Sequence, residues 1–274
     1  MSAYIKAGVI GHPINHSKSP LIHSYWIETY GPNGSYDAID IEPEKLKDGV
    51  QKLIDTGYAG FNVTVPHKQE IFKLCESVEE TARAIGAVNT VVIKEGRLFG
   101  SNTDAFGFIE NIRRSIAGID FGSRPCVVLG AGGAARAVVY GLIGAGAKSI
   151  IIANRSRDKA DDIVRMNTEI VRAVDWDARN AALDGAGFLV NTTSLGMTGK
   201  PELSMDLSNL PVDAVVSDIV YAPLKTSLLV QAESRGNHIV TGIGMLLHQA
   251  RPAFEKWFGV LPDVTEELQK KVLE

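Results

Sequence analysis

Four polar clusters in the first 104 residues contain the side chains best suited to chemistry on a small polar molecule. They comprise residues 17–20, 62–68, 86–90 and 102–104, and we predict that each lies where a strand ends and a helix begins. Because ligands of α/β sheets bind beyond the carboxyl ends of the strands, clusters that are distant in sequence can meet in one pocket. Together they offer hydroxyl, amide, amine and carboxylate groups.

A second feature suited to ligand binding is the glycine-rich turn GAGGAA at residues 130–135, which follows an apolar run and precedes a helical pattern. Gly130 permits a tight turn, and Gly132 lets backbone amides approach a pyrophosphate. Ala135 lets the helix pack closely on the strand. The amino terminus of that helix would face the phosphates, so the pattern predicts a dinucleotide site.

The residues after the second strand of this region indicate which dinucleotide is bound. The strand is predicted to end at Ala153 without the acidic residue that binds the ribose of NAD. Arg155, supported by Lys159 or Arg157, can neutralise the 2′-phosphate of NADP instead. Ser156 can donate a hydrogen bond to the same group. The alternative is that these are solvated charges at a strand–helix junction.

The elements that must position these residues follow from hydrophobic periodicity. Short apolar runs alternate with segments of helical period, which is typical of parallel sheets with crossover helices. We predict strands at residues 7–10, 36–41, 60–63, 88–93, 97–99, 125–129, 149–153, 171–174, 188–191, 214–218 and 238–241. We predict helices at residues 20–30, 43–56, 68–74, 78–85, 103–117, 136–143, 242–258 and 264–273.

This pattern predicts an α/β protein of two domains. The first, at residues 1–104, is an α/β domain that binds substrate, and the second, at 105–241, is a Rossmann-type, doubly wound domain that binds NADP. The helices at 242–274 are not needed to complete the second sheet. We therefore expect them to pack back on the first domain and complete it.

Composition favours a small-molecule partner. The net charge is −4 and the Lys and Arg residues are scattered, so neither nucleic acid nor a membrane surface is an expected partner. No apolar segment reaches about 20 residues and no signal-peptide pattern is present, so we expect a cytoplasmic protein. Cys75 and Cys126 lack metal-ligand spacing, and no metal is expected. The sequence leaves monomer and homodimer open.

Taken in order, the motifs resemble those of the shikimate dehydrogenase family. They are SKSP, NVTVPHK, GAVNT, NTD, GAGGAA, NRS, NTTSLGM and GMLLHQA, and the resemblance extends from Gly8 to Ala250. The series is more specific than any one motif, since other Rossmann proteins share only the glycine turn. The resemblance implies an oxidoreductase that reduces 3-dehydroshikimate to shikimate with NADPH in chorismate and aromatic amino acid biosynthesis, with its active site in the interdomain cleft.

The resemblance also implies which residues bind substrate. The hydroxyls of Ser17, Ser19 and Tyr221 would hold the substrate carboxylate, although either serine could instead cap the helix that starts near Pro20. The residues implied to read the ring hydroxyls are Asn62, Thr64, Asn89 and Gln249. The two asparagines could alternatively be turn residues at strand ends.

Lys68 and Asp104 resemble the catalytic pair of the family. Hydride reaching a carbonyl carbon leaves negative charge on the oxygen, which needs a nearby cation and a proton. Lys68 would supply both, while Asp104 would hold the amine and a substrate hydroxyl in place. The alternatives are a solvated lysine and an acid that stabilises a helix amino terminus. We expect His67 to orient neighbouring groups or to take no part in the reaction.

The residues predicted for the cofactor are Gly130, Ala131, Gly132, Gly133, Ala134, Asn154, Arg155, Ser156, Lys159, Ile219, Gly242 and, more weakly, Glu80. Gly242 would leave room for the nicotinamide ring.

Two other functions share this fold. A quinate/shikimate dehydrogenase of broader range often has threonine at the position of Ser19 and an acid after the second strand, whereas a non-catalytic NADP-binding regulator would lack Lys68 or Asp104.

Overall fold

The computed structural model describes residues 3–274, which divide into two compact units. The first is formed by the described part of Met1–Thr103 together with Leu247–Glu274, and the second by Asp104–Leu246. Each unit has its own six-stranded sheet. No helix in residues 3–274 is long and apolar enough to cross a membrane.

The first unit contains a mixed sheet. Its strands are β1 (Ile5–Gly11), β2 (Gly34–Asp40), β3 (Tyr58–Val63), β4 (Ser77–Val78), β5 (Thr90–Lys94) and β6 (Arg97–Ser101), in the order β2-β1-β3-β5-β6-β4. Strand β1 pairs in parallel with β2 and β3, whereas β5 is antiparallel to β3 and β6. Its first helices are α1 (Ser19–Tyr30), α2 (Leu46–Asp55), α3 (Lys68–Leu74) and α4 (Glu80–Ile85).

Two predicted helices of this unit begin differently from expectation. The helix predicted at residues 78–85 starts only at Glu80, because the backbone before it pairs with β6: the Glu79 amide donates to the Gly100 carbonyl at 2.9 Å. Strand pairing therefore takes precedence over helical periodicity at residue 78. The helix predicted at 43–56 opens with a 3₁₀ turn at Pro43–Lys45 before α2.

The second unit contains a fully parallel sheet. Its strands are β7 (Cys126–Leu129), β8 (Ile150–Asn154), β9 (Val171–Asp175), β10 (Phe188–Asn191), β11 (Val215–Asp218) and β12 (His238–Val240), in the order β12-β11-β10-β7-β8-β9. Read from β9, this order is 3-2-1-4-5-6 when the strands are numbered from β7, which is the doubly wound dinucleotide-binding topology. The helices are α5 (Asp104–Ser115), α6 (Gly133–Gly144), α7 (Arg157–Val164) and α8 (Ser227–Ser234). The predicted fold class is confirmed.

The last helices are α9 (Ile243–Phe258) and α10 (Glu266–Leu273). The Trp257 indole donates to the Val91 carbonyl at 3.0 Å, and Trp26 donates to the Asp263 carbonyl at 3.0 Å. The C-terminal segment therefore packs against β5 and α1 of the first unit, which confirms the expectation that it returns there.

An aromatic cluster joins α1 and α9 to the first sheet. The ring of His23 in α1 is fully buried and stacks on Tyr36 of β2, with centroids 4.0 Å apart and planes at 3°. Phe254 and Trp257 of α9 lie 5.8 Å from the same ring. Burial lowers the pKa of His23 to about 3, and the neighbouring Asn62 side chain offsets only part of this effect.

This buried histidine predicts an acid sensitivity of the fold. In the unfolded chain His23 binds a proton below its usual pKa of about 6.5, whereas in the folded state it does so only near pH 3. The free energy of unfolding should therefore fall as pH decreases from 6.5 towards 3, by up to about 1.4 kcal/mol per pH unit from this one residue.

We expect His23→Phe to remove that slope between pH 6 and pH 4, as measured by urea unfolding at each pH. His238→Gln, a change at an exposed histidine, should leave the slope as in the wild type. An unchanged slope in His23→Phe would show that another group accounts for the loss of stability in acid.

Candidate substrate and cofactor sites

Three of the four polar clusters lie between a strand and the next helix, and one does not. Residues 62–68 run from the last two residues of β3 to the first residue of α3, residues 17–20 lie after β1 and enter α1, and residues 102–104 connect β6 to α5. Residues 86–90 precede β5 instead of following a strand. Because β5 is antiparallel to β3, with Asn62 opposite Thr90, its first residues lie at the edge where β3 ends. The prediction that residues 86–90 lie between the end of a strand and the start of a helix is therefore wrong. Residues 62–68 and 86–90 nevertheless lie at the same edge of the sheet.

A buried network of amides and hydroxyls connects these clusters. Asn62 Nδ2 donates to the Asn89 carbonyl and to Thr90 Oγ1, both at 3.1 Å. Asn89 Oδ1 accepts from Thr90 Oγ1 at 2.9 Å and from the Thr103 amide at 2.9 Å. Asn89 Nδ2 donates to Thr103 Oγ1 at 3.0 Å and to Gln249 Oε1 at 3.4 Å. Three predicted substrate residues, Asn62, Asn89 and Gln249, are thus in one network.

The network includes hydroxyls that sequence reasoning missed. Thr90 and Thr103 hold the Asn89 amide, and the Thr103 side chain bonds to Asn89 and Gln249. Asn62 and Asn89 are at most 5% exposed, and buried amides in this setting require fixed partners. Their side chains bond to groups on other elements, which is more than a local turn requires.

The serines at the start of α1 play different local roles. Ser17 Oγ accepts from the Ser19 amide at 3.3 Å. The N-cap position is Lys18, and no side-chain cap is formed, so the capping alternative for Ser19 is wrong. Ser19 is instead the first residue of the helix and is buried. Burial also raises the pKa of Tyr36 well above its usual value.

The two residues predicted for proton chemistry each begin a helix. Lys68 is the first residue of α3, and its carbonyl accepts from the Val88 amide at 2.9 Å, which ties α3 to the cluster at residues 86–90. Asp104 is the first residue of α5 in the second unit. Both side chains are half-buried. His67 is buried, and its Nε2 lies 2.6 Å from the Ile41 carbonyl oxygen, which gives it a structural contact.

Two further predicted substrate residues follow strands. Thr64 comes directly after β3, and its amide donates to the Ile10 carbonyl at 2.9 Å. Tyr221 follows β11 in the second unit and is half-buried, and burial raises the pKa of its hydroxyl. The position of each side chain is therefore set by the strand that precedes it in the chain.

The glycine turn of the second unit fits a dinucleotide. Gly130 has φ +105°, and a Cβ there would lie 2.7 Å from Thr192 Oγ1, so the protein itself requires glycine. At Gly132 and Gly133 a Cβ would meet no atom within 4 Å, and both residues are exposed at the start of α6. Since the fold gives no reason for glycine at these two positions, the space suits a phosphate group held by the helix amino terminus.

This difference predicts separable effects of two substitutions. Gly132→Val should raise KM for NADPH about tenfold or more and change the melting temperature little, because its side chain fills ligand space. Gly130→Ala should lower the free energy of unfolding by about 1–3 kcal/mol through strain. Steady-state kinetics and thermal melting measure the two effects. An unchanged KM in Gly132→Val would remove this turn from the cofactor site.

Charged residues after β8 divide into paired and exposed groups. Arg157 pairs with Asp161 at 2.9 Å and Asp175 at 3.4 Å, which favours Lys159 over Arg157 as the support for Arg155. Arg155 and Lys159 are exposed and make no ion pair among residues 3–274. Asn154 Nδ2 donates to the Ser156 carbonyl at 2.8 Å and shapes this turn.

A buried carboxylate that the sequence analysis missed organises the loops after β10 and β11. Asp218 accepts from Asn191 Nδ2 at 3.0 Å, from Thr226 Oγ1 at 2.7 Å and from the Val220 amide at 2.9 Å. Burial raises its pKa to about 6, although these bonds oppose the shift. The sequence signal that could have identified Asp218 is an acidic residue at the end of an apolar strand.

The remaining predicted cofactor residues lie in both units. Ile219 follows Asp218 and is half-buried, and a Cβ on Gly242 would overlap the backbone of Ile219. Packing therefore gives a reason for glycine at 242 other than the proposed approach of a nicotinamide. Glu80 is exposed at the start of α4 in the first unit.

These features define a class of protein: an α/β unit with a polar network at one sheet edge, joined to a Rossmann unit with a dinucleotide turn, is typical of nucleotide-dependent dehydrogenases. Family models match the shikimate dehydrogenase substrate binding domain at residues 9–91, shikimate/quinate 5-dehydrogenase at 112–197 and the shikimate 5'-dehydrogenase C-terminal domain at 242–266. The chain belongs to the shikimate dehydrogenase family.

Individual relatives agree with this assignment. Shikimate dehydrogenase (NADP(+)) of Methylobacterium radiotolerans is 49% identical, over 98% of this chain and 96% of its own. Shikimate 5-dehydrogenase of Thermus thermophilus, solved with NADP(H) and shikimate, is 35% identical with a TM-score of 0.87 and covers 98% of each chain. Quinate dehydrogenase of Corynebacterium glutamicum, solved with NAD, is 32% identical with a TM-score of 0.91, covering 98% of this chain and 99% of its own.

Proposed function

We propose that this protein reduces 3-dehydroshikimate to shikimate with NADPH, reversibly, in the route to chorismate and the aromatic amino acids. The observation that carries the proposal is the buried network of Asn62, Asn89 and Gln249, whose amides can read several ring hydroxyls. A site built to hydrogen-bond hydroxyls rejects analogues that lack them. The 49% identity to an NADP-dependent shikimate dehydrogenase over 98% of the chain supports the same substrate.

The substrate residues are proposed to act in two groups. Ser17, Ser19 and Tyr221 donate hydroxyl hydrogen bonds to the substrate carboxylate. The ring hydroxyls are bound by Asn62, Thr64, Asn89 and Gln249. We assign substrate binding to residues 1–104 completed by 242–274, and NADP binding to 105–241.

Lys68 and Asp104 are proposed to carry out the proton chemistry. NADPH, when bound, supplies the hydride that reaches the carbonyl carbon. The Lys68 ammonium stabilises the negative charge that develops on the oxygen and transfers a proton to it. Asp104 holds the amine and an adjacent substrate hydroxyl in place. In the reverse direction Lys68 accepts the hydroxyl proton.

The second unit is proposed to hold NADPH through two groups of contacts. The backbone amides of residues 130–134, at the amino terminus of the 12-residue helix α6, suit the pyrophosphate. Arg155, with Lys159 and Ser156, suits the 2′-phosphate, because both cations are exposed and Ser156 is the N-cap residue of α7.

We place the reaction in the cytoplasm, since both cysteines are free thiols, as is usual in a reducing compartment.

A quinate/shikimate dehydrogenase is the second candidate, because the chain also resembles an NAD-bound quinate dehydrogenase with a TM-score of 0.91. Ser19 and Arg155 favour shikimate and NADP. The test is kcat/KM for oxidation of shikimate and of quinate with NADP⁺. We expect shikimate to be preferred at least a hundredfold, and equal efficiency with quinate would favour the second candidate.

A further inference from the structure

Tyr36 contacts the buried network of predicted substrate residues, although no motif contains it. It is the third residue of β2 and is 5% exposed. Its hydroxyl donates to Asn62 Oδ1 at 2.6 Å. Its ring is fixed by the stack on His23. One phenol is therefore held in place by its ring and in turn holds a residue proposed for a ring hydroxyl.

The bonds of Asn62 determine what it can offer a ligand. Both Nδ2 hydrogens are taken by the Asn89 carbonyl and Thr90 Oγ1, and Tyr36 occupies one lone pair of Oδ1. Only the second lone pair of Oδ1 remains. A flipped amide would bring its oxygen against the Asn89 carbonyl, so Tyr36 and Asn89 together fix the orientation. Asn62 can thus accept a hydrogen bond from a hydroxyl but cannot donate one to a keto or ether oxygen.

We propose that Tyr36 is a positioning residue that makes this site specific for a free hydroxyl on the substrate ring, by holding Asn62 as an acceptor. The inference rests on the proposed function. Tyr36 touches no reacting atom, so its effect falls on substrate binding and not on hydride transfer.

Tyr36→Phe tests the proposal, because it keeps the ring that stacks on His23 and removes only the hydroxyl. We expect KM for shikimate to rise about tenfold, KM for NADP⁺ to stay within twofold and kcat to fall less than threefold. The control is Tyr58→Phe, which removes a hydroxyl that donates to Asp37 at 2.8 Å in the same unit. All its constants should stay within twofold of the wild type.

A double-mutant cycle with Asn62→Ala separates positioning from a merely structural role. We expect Tyr36→Phe to have no further effect on KM for shikimate in the Asn62→Ala background. Additive effects, a KM for shikimate within twofold of wild type, or a lowered melting temperature with unchanged KM would each overturn the proposal. If the wild-type enzyme were inactive on shikimate, the proposed function itself would be rejected. That result is distinguishable from failure of the Tyr36 proposal, because the latter leaves wild-type activity intact.

Discussion

Lys68→Ala is expected to lower kcat about a thousandfold while KM for shikimate changes less than threefold. The size follows because one amine serves as both the proton donor and the cation beside the developing oxyanion, and the loss of one such group lowers the rate of an enzyme by about 10²–10⁴-fold. The small effect on KM follows because several hydroxyls and amides still hold the substrate ground state. Stopped-flow or steady-state oxidation of shikimate measures both constants.

The matched control is Lys73→Ala on the same helix, where the amine pairs with Glu70 at 2.7 Å in an exposed position. This variant should retain wild-type kcat. Turnover near the wild-type rate in Lys68→Ala would remove Lys68 from the mechanism. A large rise in KM with unchanged kcat would make it a binding residue only.

Arg155→Ala is expected to reduce the preference for NADPH over NADH about thirtyfold, because a guanidinium–phosphate pair contributes on the order of 2 kcal/mol. KM for NADPH should rise, because its 2′-phosphate loses the contact with Arg155. The kcat/KM with NADH should stay nearly constant, because NADH has no 2′-phosphate. The measurement is kcat/KM for both cofactors with 3-dehydroshikimate.

Arg157→Ala provides the comparison, since Arg157 is already paired with Asp161 and Asp175. Its loss should change the cofactor preference less than threefold. A wild-type enzyme that prefers NADH would contradict the role given to Arg155. Equal effects of the two arginine variants would indicate a general electrostatic attraction instead of a specific phosphate contact.

The second unit could be predicted closely from sequence because its signals are local. Apolar runs such as Val127–Leu129 and Ile150–Ala153 are buried on both faces of a parallel sheet and so read as continuous hydrophobic segments. The glycine turn stands between one such strand and a helix. The predicted strand at residues 188–191 matches β10, and the other strand boundaries of this unit differ by at most one residue.

The parts that could not be predicted depend on contacts between distant segments. Tyr36 looks like an ordinary strand residue, and only the packing of α1 and β3 around it brings His23 to its ring and Asn62 to its hydroxyl. Thr90 and Asp218 likewise gain their roles from partners on other elements. Short-range patterns identify which residues are polar at strand ends, but not which amide faces which hydroxyl.

Deuterium transfer tests the central claim most directly. Wild-type protein is incubated with 3-dehydroshikimate and NADPH that carries deuterium at both C4 positions, and the product is analysed by mass spectrometry and NMR. The proposed function predicts shikimate with a single deuterium on the carbon that was the ketone, formed in equal amount to the NADPH consumed. No shikimate, or shikimate without deuterium at that carbon, would contradict it.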